Sequence, residues 1–280
     1  MYSEKHNDSS SNPLLIQAAN NLVTGRRTAE ASDAVMLAAR VGITPDAWQS
    51  VVLRSTERQV ALLCSRQAGK STVTSLLALH EALHRPGALI LLLSPSLRQS
   101  QELFLKVKQA YGALTGEAVQ AREESALRMN FSNEARIVAL PGKEATIRGF
   151  SGVDLLIIDE ASRVSDELYQ AVRPMLAVSG GRIVLLTTPF GKRGFFHHEW
   201  TEGANEWQRV KITAHACPRI SPEWLEAERA RIGDWWFRQE YLCEFVESTD
   251  QVFSYDDIQR ALDPSVLPLW GVTTDGNGTR

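Results

Sequence analysis

The chain has 280 residues, 44% of them hydrophobic and 22% charged, a composition that excludes a largely disordered chain, a collagen-like fibre and a coiled-coil rod. Thirty basic against 33 acidic residues leave a net charge of −3, so overall charge gives no sign of a nucleic-acid partner and any basic face must be local. The three cysteines, Cys64, Cys217 and Cys243, form no CxxC pair and no metal-ligand cluster, and read as reduced structural thiols of a cytosolic protein.

Residues 1–28 read as a flexible leader, polar at its start and lacking the apolar core and cleavage site of a signal peptide. Apolar positions at helical spacing over 29–41 stop at Gly42, and Thr44, Pro45 and Asp46 supply a cap, a first-turn proline and a first-turn acid for a second helix. An alternation follows. Residues 59–64 suit a strand, 70–84 a helix, 88–93 a buried strand and 97–114 a helix. Segments 127–131 and 136–140 read as a hairpin turning at Ser132 and Asn133. Residues 153–158 form a third buried strand. A helix over 165–178 is interrupted at Pro174, and strands follow at 182–186 and 207–212. The uninterrupted apolar run at 88–93 is far shorter than the roughly 20 residues a membrane helix needs, so the sequence predicts a soluble, intracellular protein.

Apolar strands alternating with amphipathic helices predict an α/β fold with a mainly parallel sheet covered on both faces. Residues 221–250 hold eight acids and three arginines, with Trp224, Trp235, Trp236 and Tyr241, and read as a small helical appendage. The predicted organisation is a core over 29–220, a helical lid over 221–262 and a tail over 263–280.

The strongest chemical signal is Cys64-Ser65-Arg66-Gln67-Ala68-Gly69-Lys70-Ser71-Thr72, between a predicted strand and a predicted helix. Backbone N–H groups of such a loop and of the helix N-terminus cradle phosphates. Lys70 reaches the β and γ phosphates and the Ser71 hydroxyl ligates magnesium. The loop carries Cys64 where the general pattern has glycine. The second signal is an apolar strand ending in Asp159 and Glu160. There Asp159 holds magnesium through water and Glu160 orients and polarises the water that attacks the γ-phosphate. The two motifs together point to ATP hydrolysis.

Four further features each leave two readings open. Thr187, Thr188 and Pro189 end a strand in hydroxyls, which contact the γ-phosphate or simply cap the strand. Residues 190–198 mix glycines, cations and aromatics, which suits either phosphate-backbone contact with DNA or a solvated loop. Gln49 offers an amide that matches the edge of adenine, or is a surface helix residue. Arg148 is an arginine finger that enters a neighbour's site or a surface arginine, while Arg66 lies inside the loop, where a cation meets the γ-phosphate.

SRQAGKST, LLIIDEAS, LLTTPFGKRGFF and FRQEYLCEFVES, in this order over residues 45–260, resemble the large terminase subunit of tailed bacteriophages. The resemblance implies a P-loop NTPase fold of the ASCE type. It assigns Gln49 to adenine recognition and places Ser65, Arg66, Gln67, Ala68, Gly69, Lys70, Ser71 and Thr72 in the phosphate loop. Asp159 and Glu160 become the magnesium and catalytic acids, Thr187 and Thr188 part of a coupling motif, and Arg148 falls near an intersubunit arginine. It implies ATP and Mg2+ as ligands. It implies double-stranded DNA, a portal protein, a small terminase subunit and further copies of the chain in a ring as partners, in the bacterial host cytoplasm. Family members usually continue into a metal-dependent nuclease domain. Asp275 is an isolated acid in either a remnant of the first nuclease strand or a flexible tail, and the sequence predicts no nuclease activity here. A helicase-like ATPase and an inactive prophage relic remain the alternatives.

Overall fold

A computed structural model describes residues 33–142, 149–247 and 261. The expected leader over 1–28, the tail over 263–280 with Asp275, and Arg148 lie outside them.

Eight strands form one sheet in the order β3-β4-β5-β2-β6-β7-β1-β8. They are β1 Gln59–Cys64, β2 Leu89–Ser94, β3 Ala121–Glu124, β4 Arg128–Phe131, β5 Arg136–Pro141, β6 Leu155–Asp159, β7 Arg182–Thr187 and β8 Trp207–Ile212. From β5 to β8 every pairing is parallel; β3 and β4 add an antiparallel edge. Parallel neighbours need long crossovers, and helices supply most of them.

The helices are α1 Ala34–Arg40, α2 Ala47–Arg54, α3 Lys70–His84, α4 Leu97–Gly112, α5 Asp166–Val172, α6 Gly194–Thr201, α7 Pro222–Ile232 and α8 Asp234–Glu240. Alternate strand residues feed two cores. Val60 and Leu62 of β1, Ile90 and Leu92 of β2, and Val184 and Leu186 of β7 pack under α1 to α4. Ala61, Leu63, Leu91, Ile158 and Leu185 pack against α5 and α6. Burial on both faces is why these strands read as unbroken apolar runs. A third, small core of Ala214, Leu225, Phe237 and Tyr241 holds α7 and α8 together.

Three local results depart from the sequence reading. Strand β3 is not among the expected elements. Its Arg122, Glu123 and Glu124 are exposed on the sheet edge and carry no apolar signal. Pro45 precedes the cap of α2 rather than entering its first turn. Asp46 is the cap, in a capping box closed by Gln49. Residues 194–198 open helix α6, with Phe195, Phe196 and His197 buried, so these aromatics are core and not a nucleic-acid surface. The break at Pro174 is present as a change to 3-10 helix over Arg173–Leu176.

Gly181 stands where β6 and β7 begin. A Cβ there would lie 2.0 Å from the carbonyl oxygen of Val153 and 3.0 Å from that of Asp154. Backbone cannot yield as a side-chain tip does, so Gly181→Ala is expected to cost roughly 1–3 kcal/mol, read as a lower urea midpoint. Gly112→Ala, with nothing within 4 Å, should cost nothing and serves as control.

All three cysteines are free and buried. Burial is the main cause that pushes the thiols of Cys64 and Cys243 up to about 12. A raised thiol pKa leaves little thiolate at pH 8, and the thiolate is the reactive form. Neither cysteine should be alkylated by iodoacetamide in the native protein at pH 8, and both should react in denaturant. Rapid native labelling of either one would contradict the packing.

Candidate nucleotide-hydrolysis site

The site forms where β1, β7 and β6 end. Strand β7 lies between the other two, and register places Thr187 opposite Leu63 of β1 and Leu186 opposite Asp159 of β6. Neighbouring strands are about 4.8 Å apart, so the loop after β1 and the acids after β6 face each other across Thr187. Ligands of open α/β sheets bind at such carboxyl ends.

The loop after β1 is held from three sides. The Ser65 amide donates to Ile212 O at the end of β8, at 2.8 Å, and the Arg66 amide to Glu240 O of α8, at 3.1 Å. The Arg219 guanidinium donates to Ala68 O at 2.8 Å and to both carboxylate oxygens of Asp46, at 2.9 and 2.8 Å. Gln67 and Gly69 take left-handed backbone, φ 59° and 90°. At Gly69 a Cβ would sit 2.8 Å from Gln49 Nε2, so glycine is required both by conformation and by space. Lys70, Ser71 and Thr72 then form the first turn of α3, whose leading N–H groups have no partner within the helix. The turn, with Arg66, Gln67, Gly69, Glu160 and Thr188, lines an open cavity of about 770 Å³. Cations Lys106, Arg163 and Arg219 complete its wall.

Lys70 is the electrostatic centre. Its Nζ lies 3.2 Å from Glu160 Oε1 and donates to Thr188 Oγ1 at 3.2 Å. Glu160 has φ 51°. This left-handed turn directly after β6 is costly for a non-glycine residue, and the Glu160 amide is held by Asp159 Oδ1 at 2.9 Å. Asp159 is buried, and burial first, then the Glu160 charge, raises its carboxyl to about 6, with Lys70 pulling the other way. Thr187 is fully buried. Its hydroxyl accepts from the Ser162 amide at 3.2 Å and donates to Thr188 O at 2.7 Å. Thr187 therefore braces the turn after Glu160, and Thr188 is the hydroxyl that reaches the cavity.

Of the sequence candidates, Arg66, Gln67, Gly69, Lys70, Ser71, Thr72, Glu160 and Thr188 meet around one cavity. Ser65 and Ala68 are buried beneath the loop. Gln49 is buried, its Oε1 accepts from the Asp46 amide at 2.8 Å, and it shapes the loop through Gly69. The Arg66 side chain forms an ion pair with Glu240 of α8. Of the 190–198 segment, residues before α6 stay near the surface: the Phe190 ring lies under the Arg163 and Arg193 guanidiniums, 4.1 and 5.1 Å from its centroid. Sequence reasoning misses Arg219, Asp46 and Glu240 as site residues. Each acts through partners more than 150 positions away, and no local spacing marks such a pair.

Three comparisons place this geometry among known proteins. The model of the terminase large subunit, T4likevirus-type, N-terminal family matches residues 61–260. The terminase large subunit of Thermus virus P23-45 is 28% identical over 249 residues, covering 76% of this chain and 51% of its own. The Thermus phage P74-26 large terminase ATPase domain superposes with TM-score 0.66 at 23% identity, over 75% of this chain and 97% of that one. The large terminase of another thermophilic bacteriophage, solved in complex with ADP, gives 0.62 at 13% identity, over 71% and 53%. The chain spans about half the length of the curated relatives it matches. With the family model matched over most of its length, the chain belongs to the terminase large subunit family, through that family's T4likevirus-type N-terminal domain.

Proposed function

We propose that this chain is the ATP-hydrolysing part of a motor that drives double-stranded viral DNA into a preformed capsid. The observation that carries the reading is the meeting of Lys70, Glu160 and Thr188 beside the first turn of α3. The ADP complex of the structurally similar thermophilic phage terminase supports it.

The roles follow from charge and position. Backbone N–H groups at the start of α3 and the Lys70 ammonium hold the β and γ phosphates. An entering triphosphate competes with Glu160 for Lys70, and a Glu160 freed of that ion pair can act as a base. It accepts a hydrogen bond from water and takes its proton as the water oxygen bonds to the γ-phosphorus. The bond to the β–γ bridging oxygen breaks, leaving ADP and phosphate. Thr188 changes partner with the γ-phosphate, and Thr187 carries that change into the turn after Glu160. Arg66 exchanges Glu240 for phosphate, which links the loop to α8.

Mg2+ fits the donors present. The Ser71 hydroxyl and the Asp159 carboxylate are hard oxygen ligands, and a buried carboxylate with a raised pKa gains from a nearby dication. Among the described residues no group of three or more His, Cys, Asp or Glu could hold a metal, which suits an ion that keeps water and phosphate ligands. When bound, Mg2+ would neutralise charge on the phosphate oxygens. A ring of copies on the portal protein, a small terminase subunit that selects DNA, a trans role for Arg148 and work in the host cytoplasm complete the proposal. No helix among the described residues is long and apolar enough to cross a membrane.

Steady-state hydrolysis of ATP, with and without double-stranded DNA, tests the reading. Glu160→Gln should keep ATP affinity and lose at least about 100-fold in turnover, the usual contribution of a general base. Lys70→Ala should lose both. Near-wild-type turnover by Glu160→Gln would contradict the assignment.

A further inference from the structure

The candidate nucleotide site lies at the carboxyl ends of the strands. At the opposite edge, where β6 and β7 begin, lies a separate hollow of about 520 Å³. Strand β7 joins the two, running from Arg182 in the hollow to Thr187 at the site, a span of roughly 17 Å at about 3.3 Å per residue. None of the residues that line the hollow takes part in the hydrolysis chemistry above.

The charges of the hollow are unevenly matched. Arg54 donates to Asp33 at 3.0 Å. Arg85 pairs with Glu81 at 3.2 Å and with Asp154 at 2.7 Å, and the other Asp154 oxygen accepts from the Leu89 amide at 2.8 Å. Arg182 has no such partner. Its Nε and Nη2 are buried, and no described residue accepts from them. Burial lowers the pKa of its guanidinium, with the charges of Glu81 and Glu57 pulling the other way. A cation taken out of water without a hydrogen-bonded counter-charge is costly, so the fold holds here a charge that it does not itself balance. The Arg58 guanidinium stands close by: a Cβ on Gly180, which lines the hollow, would lie 3.5 Å from Arg58 Nη2.

We propose that this hollow binds a small molecule bearing a phosphate or carboxylate group, held by Arg182 and Arg58. An oxyanion there supplies the counter-charge that Arg182 lacks, across poorly screened surroundings, and its oxygens suit the fork of a guanidinium. Leu53, Leu77 and Leu155 also line the hollow and offer apolar surface to the body of such a molecule. The volume lies within the range of small-molecule sites. A DNA duplex carries its phosphates on a convex surface, so a guanidinium set into the wall of a hollow favours a small ligand over DNA.

Calorimetric titration of the full chain with phenyl phosphate and with benzoate tests the site, and the probe that binds tells phosphate from carboxylate. At least one probe should bind wild type saturably. Arg182→Met, which keeps an unbranched stem and removes the charge, should weaken that binding about tenfold or more, the size of one lost charge-assisted hydrogen bond. Arg182→Lys, which keeps the charge without the fork, should weaken it less, and carries the comparison if Arg182→Met does not fold. Lys70→Ala, at the phosphate loop, should leave the binding unchanged. Without a probe, the urea midpoint of Arg182→Met should equal or exceed that of wild type, because an unbalanced buried cation has been removed. Wild type that binds neither probe, unaltered affinity in the Arg182 variants, or an equal loss in Lys70→Ala would overturn the proposal. A lowered midpoint with unaltered affinity would make Arg182 a structural residue and overturn it likewise.

Discussion

The ion pair between Lys70 and Glu160 is the constraint around which the site is built. Two adjacent carboxylates, Asp159 and Glu160, end a buried strand, and one cation, Lys70, stands 3.2 Å from the second of them. The side chains of Lys70 and Glu160 are only 12% and 22% exposed, so water screens the pair weakly and loss of either partner leaves an uncompensated charge. A cation placed this way has two uses. It balances the carboxylates, and it offers any entering phosphate a ready partner. In the proposed reaction, phosphate takes Lys70 before Glu160 is released to act, so this contact would set the order of events.

This constraint reaches the rest of the molecule through the sheet. Placing β7 between β1 and β6 puts Thr187 and Thr188 between the loop and the acids. Thr188 touches Lys70 and Thr187 touches the turn after Glu160. On the far side the loop is tied to α8 through Arg66 and Glu240. The segment after Thr188 returns to the same region: Lys192 pairs with Glu247 at 3.4 Å, and Trp235 lies across a small hollow from Phe190 and Arg193. The phosphate loop and the segment after Thr188 thus converge on α8 and the residues just after it.

Much of this is legible in the sequence, for identifiable reasons. Strands β1, β2, β6 and β7 are buried on both faces, so their apolar runs are unbroken. The phosphate loop and the two acids announce themselves because phosphate chemistry requires particular residues at strand ends. Strand β3 is hidden because an exposed edge strand needs no apolar residue. Helix α6 is easily misread because its glycine, aromatics and histidines mimic a binding loop, whereas Phe195 and Phe196 serve the second core. Arg219 and Glu240 are invisible as site residues, since their meaning comes from contacts with Ala68 and Arg66 far away along the chain.

The measurement that tests the central claim most directly is a crystal structure of the Glu160→Asp chain beside wild type, both with magnesium and a non-hydrolysable ATP analogue. In wild type the account predicts Lys70 Nζ on the phosphate oxygens and its 3.2 Å contact with Glu160 broken. In Glu160→Asp it predicts the same lysine position, because phosphate and not the carboxylate then fixes it. A wild-type complex in which Lys70 keeps its 3.2 Å contact with Glu160 while the analogue is bound would contradict the exchange on which the account depends.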